Sequence, residues 1–439
     1  MTPLPLRPSA VWAFLRQSPV SHGLAIRFVG VGLAFVQAIL LARLAPPDVY
    51  GAYSVGMSFA TLLGTVSCLG LAQLSVREIP TLRRNGGASS IQDFVRQTIG
   101  VVLAASVAVS VITAVTLALL PPIGSGILRQ ALVLTATLIP LMAFLRLSSS
   151  QLRGFGFPAA SLLSEFLVRP LFFIPALIVL GVAGSTLRLP VLVGIAALAT
   201  IAANVVSFAL LWKQRHARTK ALSLASVPIL KHLSAGFPFL LSSVATIAQS
   251  EVPNMMLGAI SGAVEAGLLQ PVLRIGLLLG IGHMVVSYPL APKVALLWNR
   301  SDLAGLRVAS LTAARKSILL TLPACLLVML FSKSILGIFG ARFVEAAPGL
   351  IAIACGQLIN SLTGYGGLLL GMTHHQHVAT KIQYLGLFVT LVLVGMLSGA
   401  FGAIGAACAI AVGMGLTNVV LVIAAFRLTK VNGTIFQKA

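Results

Sequence analysis

HGLAIRFVGVGLAFVQAILLA (22–42) is apolar for its whole length apart from His22, Arg27 and Gln37, and AYSVGMSFATLLGTVSCLGLAQ (52–73) repeats the pattern after the turn APPD (45–48). A hydrocarbon core about 30 Å thick is crossed by ~20 apolar residues in a helix. Two such runs joined by a proline-rich turn therefore read as a transmembrane hairpin. The same alternation continues along the chain. Further runs fall at 97–119, 128–149, 159–181, 189–212, 235–258, 266–290, 317–338, 346–371, 380–398 and 402–426, with turn chemistry at RRNGG (83–87), PPIGSG (121–126) and SGAF (398–401). The expected fold is all-α, a polytopic membrane protein of twelve transmembrane helices.

The 439 residues are 58% apolar and 9% charged, with mean hydropathy +1.03. Soluble domains carry about 25% charge, so a soluble enzyme, a disordered chain and a disulfide scaffold are excluded. The net charge of +22 sits mostly between the apolar runs. That is the distribution of membrane anchoring and attraction to anionic lipids, not of nucleic-acid binding, for which a basic soluble domain is lacking. With the N-terminus inside, 22 of the 30 basic residues lie on the cytoplasmic side, Arg146 and Arg153 among them, and only Arg43, Arg129, Arg188, Lys333 and Arg342 on the other. Both termini are thus expected in the cytoplasm of a bacterial cell, in a multi-pass inner-membrane protein. Trp12, Trp212 and Trp298 fall at cytoplasmic interfaces. MTPLPLRPSAVWAFLRQSPV (1–20) has no cleavage site, so the first span is expected to act as its own insertion signal. Cys68, Cys325, Cys355 and Cys408 lie in apolar runs without metal-ligand spacing and read as small buried residues.

The chain is doubled. At an offset of 216, LARLAPPDVYGAY (41–53) lies over LGAISGAVEAGLL (257–269), Gly51 falls on Gly267, and the loop of Arg77 and Arg84 falls on that of Lys293 and Arg300. Two six-helix lobes follow, 1–216 and 217–439, related as parallel repeats, with a site expected between them. KQRHARTK (213–220) is the linker.

Charges inside spans cost at least ~2.5–3.5 kcal/mol on insertion scales and need a partner or a wet cavity. Glu165 and Arg169 stand at i, i+4, an expected structural ion pair. Arg27 shares a helix face with Gly23, Gly30, Ala34 and Gln37; it either snorkels to the interface or faces a polar space. Span 2 carries Ser54, Ser58, Thr61, Thr65 and Cys68 on one stripe, span 7 carries Ser243, Thr246, Ser250 and Asn254 with Glu251 beside them, and span 8 carries Gly267, Gln270 and Arg274. The offset superposes Arg27 on Ser243 and Ser58 on Arg274. These faces either pack helices closely through small residues or line one cleft. In the second case the substrate-binding candidates are Arg27, Arg274, Gln37, Ser58, Gln270 and Asn254. Glu251 has no obvious local partner. It could couple a proton or sodium ion, latch to Arg274, or stay protonated and hydrogen-bonded to Asn254. His283 lies on the opposite face from Arg274 and reads as packing, and His374, His375 and His377 as a solvated loop. No metal or cofactor is expected. GxSxG, HExxH and Walker A motifs are absent, so the chain is not expected to be an enzyme or an ATP-driven pump.

ILLARLAPPDVYGAYSVGMSFATLLGTVSCLGLAQLSVREI (39–79), QLRGFGFPAASLLSEFLVRPLFF (151–173) and SEVPNMMLGAISGAVEAGLLQPVLRIGLL (250–278) resemble the span 1–2, span 5 and span 7–8 regions of bacterial polysaccharide/O-antigen exporters. These are the lipid-linked oligosaccharide flippases of the multidrug/oligosaccharidyl-lipid/polysaccharide superfamily. IFGARFVEAAPGLIAIACGQLINSL (338–362) and FGAIGAACAIAVG (401–413) are similar to the starts of their spans 10 and 12. Gly267-Leu268 departs from the family's glycine–aromatic pair, and Glu251 stands where an acidic residue is common. The resemblance implies two six-helix bundles in a V-shaped cleft, with alternating access. It implies an undecaprenyl-pyrophosphate-linked sugar as substrate, and a monomer working beside polymerase or glycosyltransferase machinery. An arginine-bearing cleft suits a pyrophosphate. A multidrug antiporter of the same superfamily would want unopposed carboxylates, and a non-transporting scaffold would want no cleft charges.

Overall fold

The structure, a computed structural model, describes residues 20–84, 88–119, 126–184, 187–216, 229–431 and 434. The termini and most of the linker fall outside these residues. Among the described residues there is no strand. Helices α1 (Val20–Leu44), α2 (Pro47–Ser67), α3 (Leu71–Arg84) and α4 (Ala88–Leu119) come first, then α5 (Gly126–Ala136) and α6 (Ile139–Gly154). Then come α7 (Pro158–Leu162), a π turn (Leu163–Val168), α8 (Arg169–Val182) and α9 (Leu189–His216). The rest is α10 (Ile229–Ser261), α11 (Ala263–Leu279), α12 (Ile281–Asn299), α13 (Leu303–Leu330), α14 (Ser332–Gly337), a 3-10 turn (Ala341–Ala346), α15 (Ala347–Thr363), α16 (Gly366–Met372) and α17 (Gln376–Thr429).

Nine of these stretches are long and apolar enough to cross a membrane, and α5–α6 and α11–α12 are two further candidates, bent by 47° and 42°. The 54-residue α17 holds one non-helical residue, Gly402 (φ 52°), where two helices join beside the expected SGAF turn. There Glu265 Oε2 accepts the Ala403 N–H at 2.7 Å and caps the second helix. This pattern is consistent with the twelve expected spans. Span 2 differs in its limits: it starts at Pro47 and breaks at Leu69 and Gly70, both with positive φ. A Cβ on Gly70 would strike the Gly236 carbonyl oxygen, so the break requires glycine twice over.

The chain forms two compact units that cut across the sequence halves. Unit 1 takes Met1–Gln37, Ala60–Pro121 and Leu132–Val244. Its central helix is α6, packed by α3, α4 and α9 and buried along Ala143, Leu145, Leu147, Ser148, Ser149, Ser150, Gln151 and Leu152. Unit 2 takes Ala38–Phe59, Pro122–Ala131 and Ala245–Ala439, with α15 and α17 packed together at its centre. Small residues set the spacing there: Gly349 against Ala407, and Gly356 against Ala411. Outward faces are apolar, as Val107, Val111, Ile112 and Val115 of α4 show, which is where the high apolar fraction goes. Cys68 and Cys325 are buried as expected, whereas Cys355 is exposed on such a face.

Candidate functional site

In unit 1 Arg27 and Arg153 both reach the π turn. The Arg27 guanidinium sits 5.3 Å over the Phe166 ring, and Gly30, one turn on, lies so close to the Phe166 backbone that a Cβ would not fit. A cation over an aromatic face is stabilised by about 0.5–2 kcal/mol. Arg27 is half-buried, as is Gln37 on the same helix. The structure gives Glu165 a different partner from the expected Arg169: Arg153 of α6, with Nη1 3.6 Å from Oε2. The i, i+4 rule presumes a regular α-helix, and the π turn at 163–168 interrupts it. Both members are about one-third exposed.

Arg146 lies mid-way along α6, half-buried, with Nη1 donating to Thr65 Oγ1 at 2.8 Å. Cys68 on the same stripe lies within its electrostatic reach and donates to the Ala143 carbonyl. Part of the span 2 stripe is thus lined up on α6.

In unit 2 the structure joins Ser58 and Asn254. The Asn254 amide donates to Ser58 Oγ at 3.2 Å and to Ser54 Oγ at 3.5 Å, and Ser54 donates on to the Gly51 carbonyl. Asn254 is wholly buried and its Oδ1 accepts nothing. Its amide nitrogen donates to the two serines. Glu251 does have a local partner, Ser250 Oγ at 3.5 Å. Gln270 is buried; Arg274, four residues along the same helix, is exposed, with the Tyr50 phenol in its electrostatic reach. Gly51 and Gly267, the pair that the repeat aligns, meet each other backbone to backbone: a Cβ on Gly51 would occupy the Ala263 carbonyl, and one on Gly267 would lie 3.1 Å from the Pro47 oxygen.

A second group in unit 2 had no sequence signal beyond isolated amides. Asn418 donates to Asn360 (2.9 Å), Asn360 to Gln357 (3.3 Å), and Gln357 to the Gly276 carbonyl (3.1 Å) just before the bend at Gly280. His283, beyond the bend, stacks on Tyr365 at 4.3 Å between centroids and bonds to Ser317, in keeping with a packing role.

A family model described as "Polysaccharide biosynthesis protein" matches residues 21–291, more than half of the chain. The chain belongs to the polysaccharide biosynthesis protein family. None of the curated proteins matches it. Solved structures give the fold of this family member. It is similar to an inward-facing multidrug resistance MATE family transporter of the MOP superfamily (TM-score 0.74, 12% identity, 93% of this chain and 98% of that one). It is also similar to the lipid II flippase MurJ in an inward closed conformation (0.72, 14%, 91% and 86%). A third likeness is to a MOP superfamily transporter from Pyrococcus furiosus described as having a binding pocket of reverse polarity (0.66, 13%, 95% and 97%). This member of the family is therefore a multi-pass membrane protein whose fold is that of the solved MOP superfamily structures.

Proposed function

We propose that this protein is a flippase that moves an undecaprenyl-pyrophosphate-linked oligosaccharide from the cytoplasmic to the periplasmic leaflet of the inner membrane by alternating access of its two sequence halves. The observation that carries this is the sign of the charge inside the spanning helices. Arg27, Arg146, Arg169 and Arg274 stand against Glu165, which is ion-paired, and Glu251. Guanidinium forks match diphosphate oxygens, whereas an organic cation would be repelled. The family match to polysaccharide biosynthesis supports the same substrate class. Arg274, exposed on α11, is the first contact expected in unit 2, and Gln270, Ser58, Asn254, Gln37 and Arg27 complete the polar lining. Glu251 is the proposed coupling carboxylate.

The test is transport by the purified protein in liposomes carrying a fluorescent isoprenoid-diphosphate oligosaccharide, read by its accessibility to an impermeant reagent. Wild type moves the lipid; Arg274→Ala slows it at least about tenfold, the worth of one charge-assisted bond. Glu251→Gln abolishes the response to an imposed proton or sodium gradient. Uptake of cationic drugs with no movement of the lipid would replace this function with antiport.

A further inference from the structure

One face of α6 carries two partly exposed arginines, Arg146 and Arg153, on either side of the buried Ser149 and Ser150. Arg146, Ser149, Ser150 and Arg153 are spaced 3, 4 and 7 residues from the first, so they share one side of the helix, about 10 Å from end to end. Its depth can be read from α9. Leu152 packs with Leu211, next to the half-exposed Trp212, while Leu145 packs with Ala203, eight residues and about 12 Å before Leu211. Tryptophan marks the headgroup level, so Arg153 stands near the surface and Arg146 well inside.

The inner arginine has only a neutral partner. One of its five N–H donors reaches Thr65, and among the described residues no carboxylate pairs with it. The outer arginine is held in place, with Nη2 on Ser150 Oγ at 2.7 Å and Nη1 facing Glu165. Glu165 is presented by the π turn, a form of helix found often at functional sites. Its pair with Arg153 is one-third exposed, and such pairs are held by only about 0–1 kcal/mol. A second anion can thus take the carboxylate's place cheaply, and Arg153 is never left bare during the exchange.

We propose that this face is a docking ladder for the diphosphate of an isoprenoid-linked substrate: Arg153 receives it, Glu165 is the resident anion it displaces, and Arg146 is the next rung inward. The ladder rests on the flippase function above and adds to it three residues, their order and a built-in competitor.

The experiment is calorimetric titration of the purified protein in nanodiscs with farnesyl diphosphate, and with farnesol and inorganic pyrophosphate as comparators. Glu165→Gln is expected to bind the diphosphate about tenfold tighter, because the competitor is gone. Arg153→Gln and Arg146→Gln are each expected to bind about tenfold weaker, with farnesol unchanged. A glutamate with a merely structural role would weaken binding when replaced, so unchanged or weaker binding by Glu165→Gln overturns the competitor. Wild-type affinity in Arg146→Gln overturns the inner rung. If that variant does not fold, Arg146→Lys keeps the charge and loses the fork, and unchanged affinity there overturns it equally. Inorganic pyrophosphate bound as tightly as farnesyl diphosphate overturns the lipid assignment. No binding by wild type removes the flippase function and the ladder together. Binding that falls in Arg274→Ala but ignores all three ladder substitutions removes the ladder alone.

Discussion

The polar interiors of the two units are built on opposite plans. In unit 1 the α6 face is cationic: Arg146 and Arg153 offer more donors than Thr65, Ser150 and Glu165 consume. In unit 2 the row Asn418, Asn360, Gln357 is neutral and closed on itself, each amide donating to the next and the last to a backbone carbonyl at the helix bend. Aligned at the repeat offset, Arg146 falls on Leu362 and Arg153 on Leu369, while Gln357 and Asn360 fall on Leu141 and Phe144. The polar residues of the two units thus fall at different positions of the 216 offset. A saturated network specifies structure, and an unsaturated cation invites a ligand.

Substitutions that remove one plan or the other sharpen this contrast. The largest effect on stability is expected for Asn360→Leu, which strands the Gln357 oxygen and the Asn418 amide together. A loss of about 2–4 kcal/mol should appear as a lowered thermal unfolding midpoint in detergent, and leucine at all three positions should recover part of it. Arg146→Met should behave in the opposite way, changing stability by less than about 1 kcal/mol, because deleting a charge at bilayer depth offsets the lost Thr65 bond, while lipid transport falls steeply. A large loss of stability in Arg146→Met would break the comparison by making unit 1 structural too. The smallest effect belongs to Glu165→Gln, about 0–1 kcal/mol for an exposed pair, and it should shrink further in high salt.

The fold was legible because hydropathy and turn residues repeat along the whole chain, and the same signal located the bends only roughly. The run 128–149 contains Arg146, but only the structure shows the bend at 137–138, the continuation of α6 to Gly154 and the bond from Arg146 to Thr65. Glu165 was paired with Arg169 because sequence shows neighbours four residues on, whereas its partner lies on another helix and the turn between is π-helical. Asn254 and Ser58, placed on facing stripes by their spacing alone, do meet. Glu265 gave no signal, since its cap on Ala403 depends on a loop 138 residues away.

The meeting of Gly51 with Gly267 carries one more implication. Most helix contacts are held by interlocked side chains, and drawing them apart forces rotamers to flip past one another. Two glycines touching main chain to main chain have no side chains to interlock, so the helices are held there by backbone contact alone. Even a single methyl on Gly51 would act as a wedge driven between the helices.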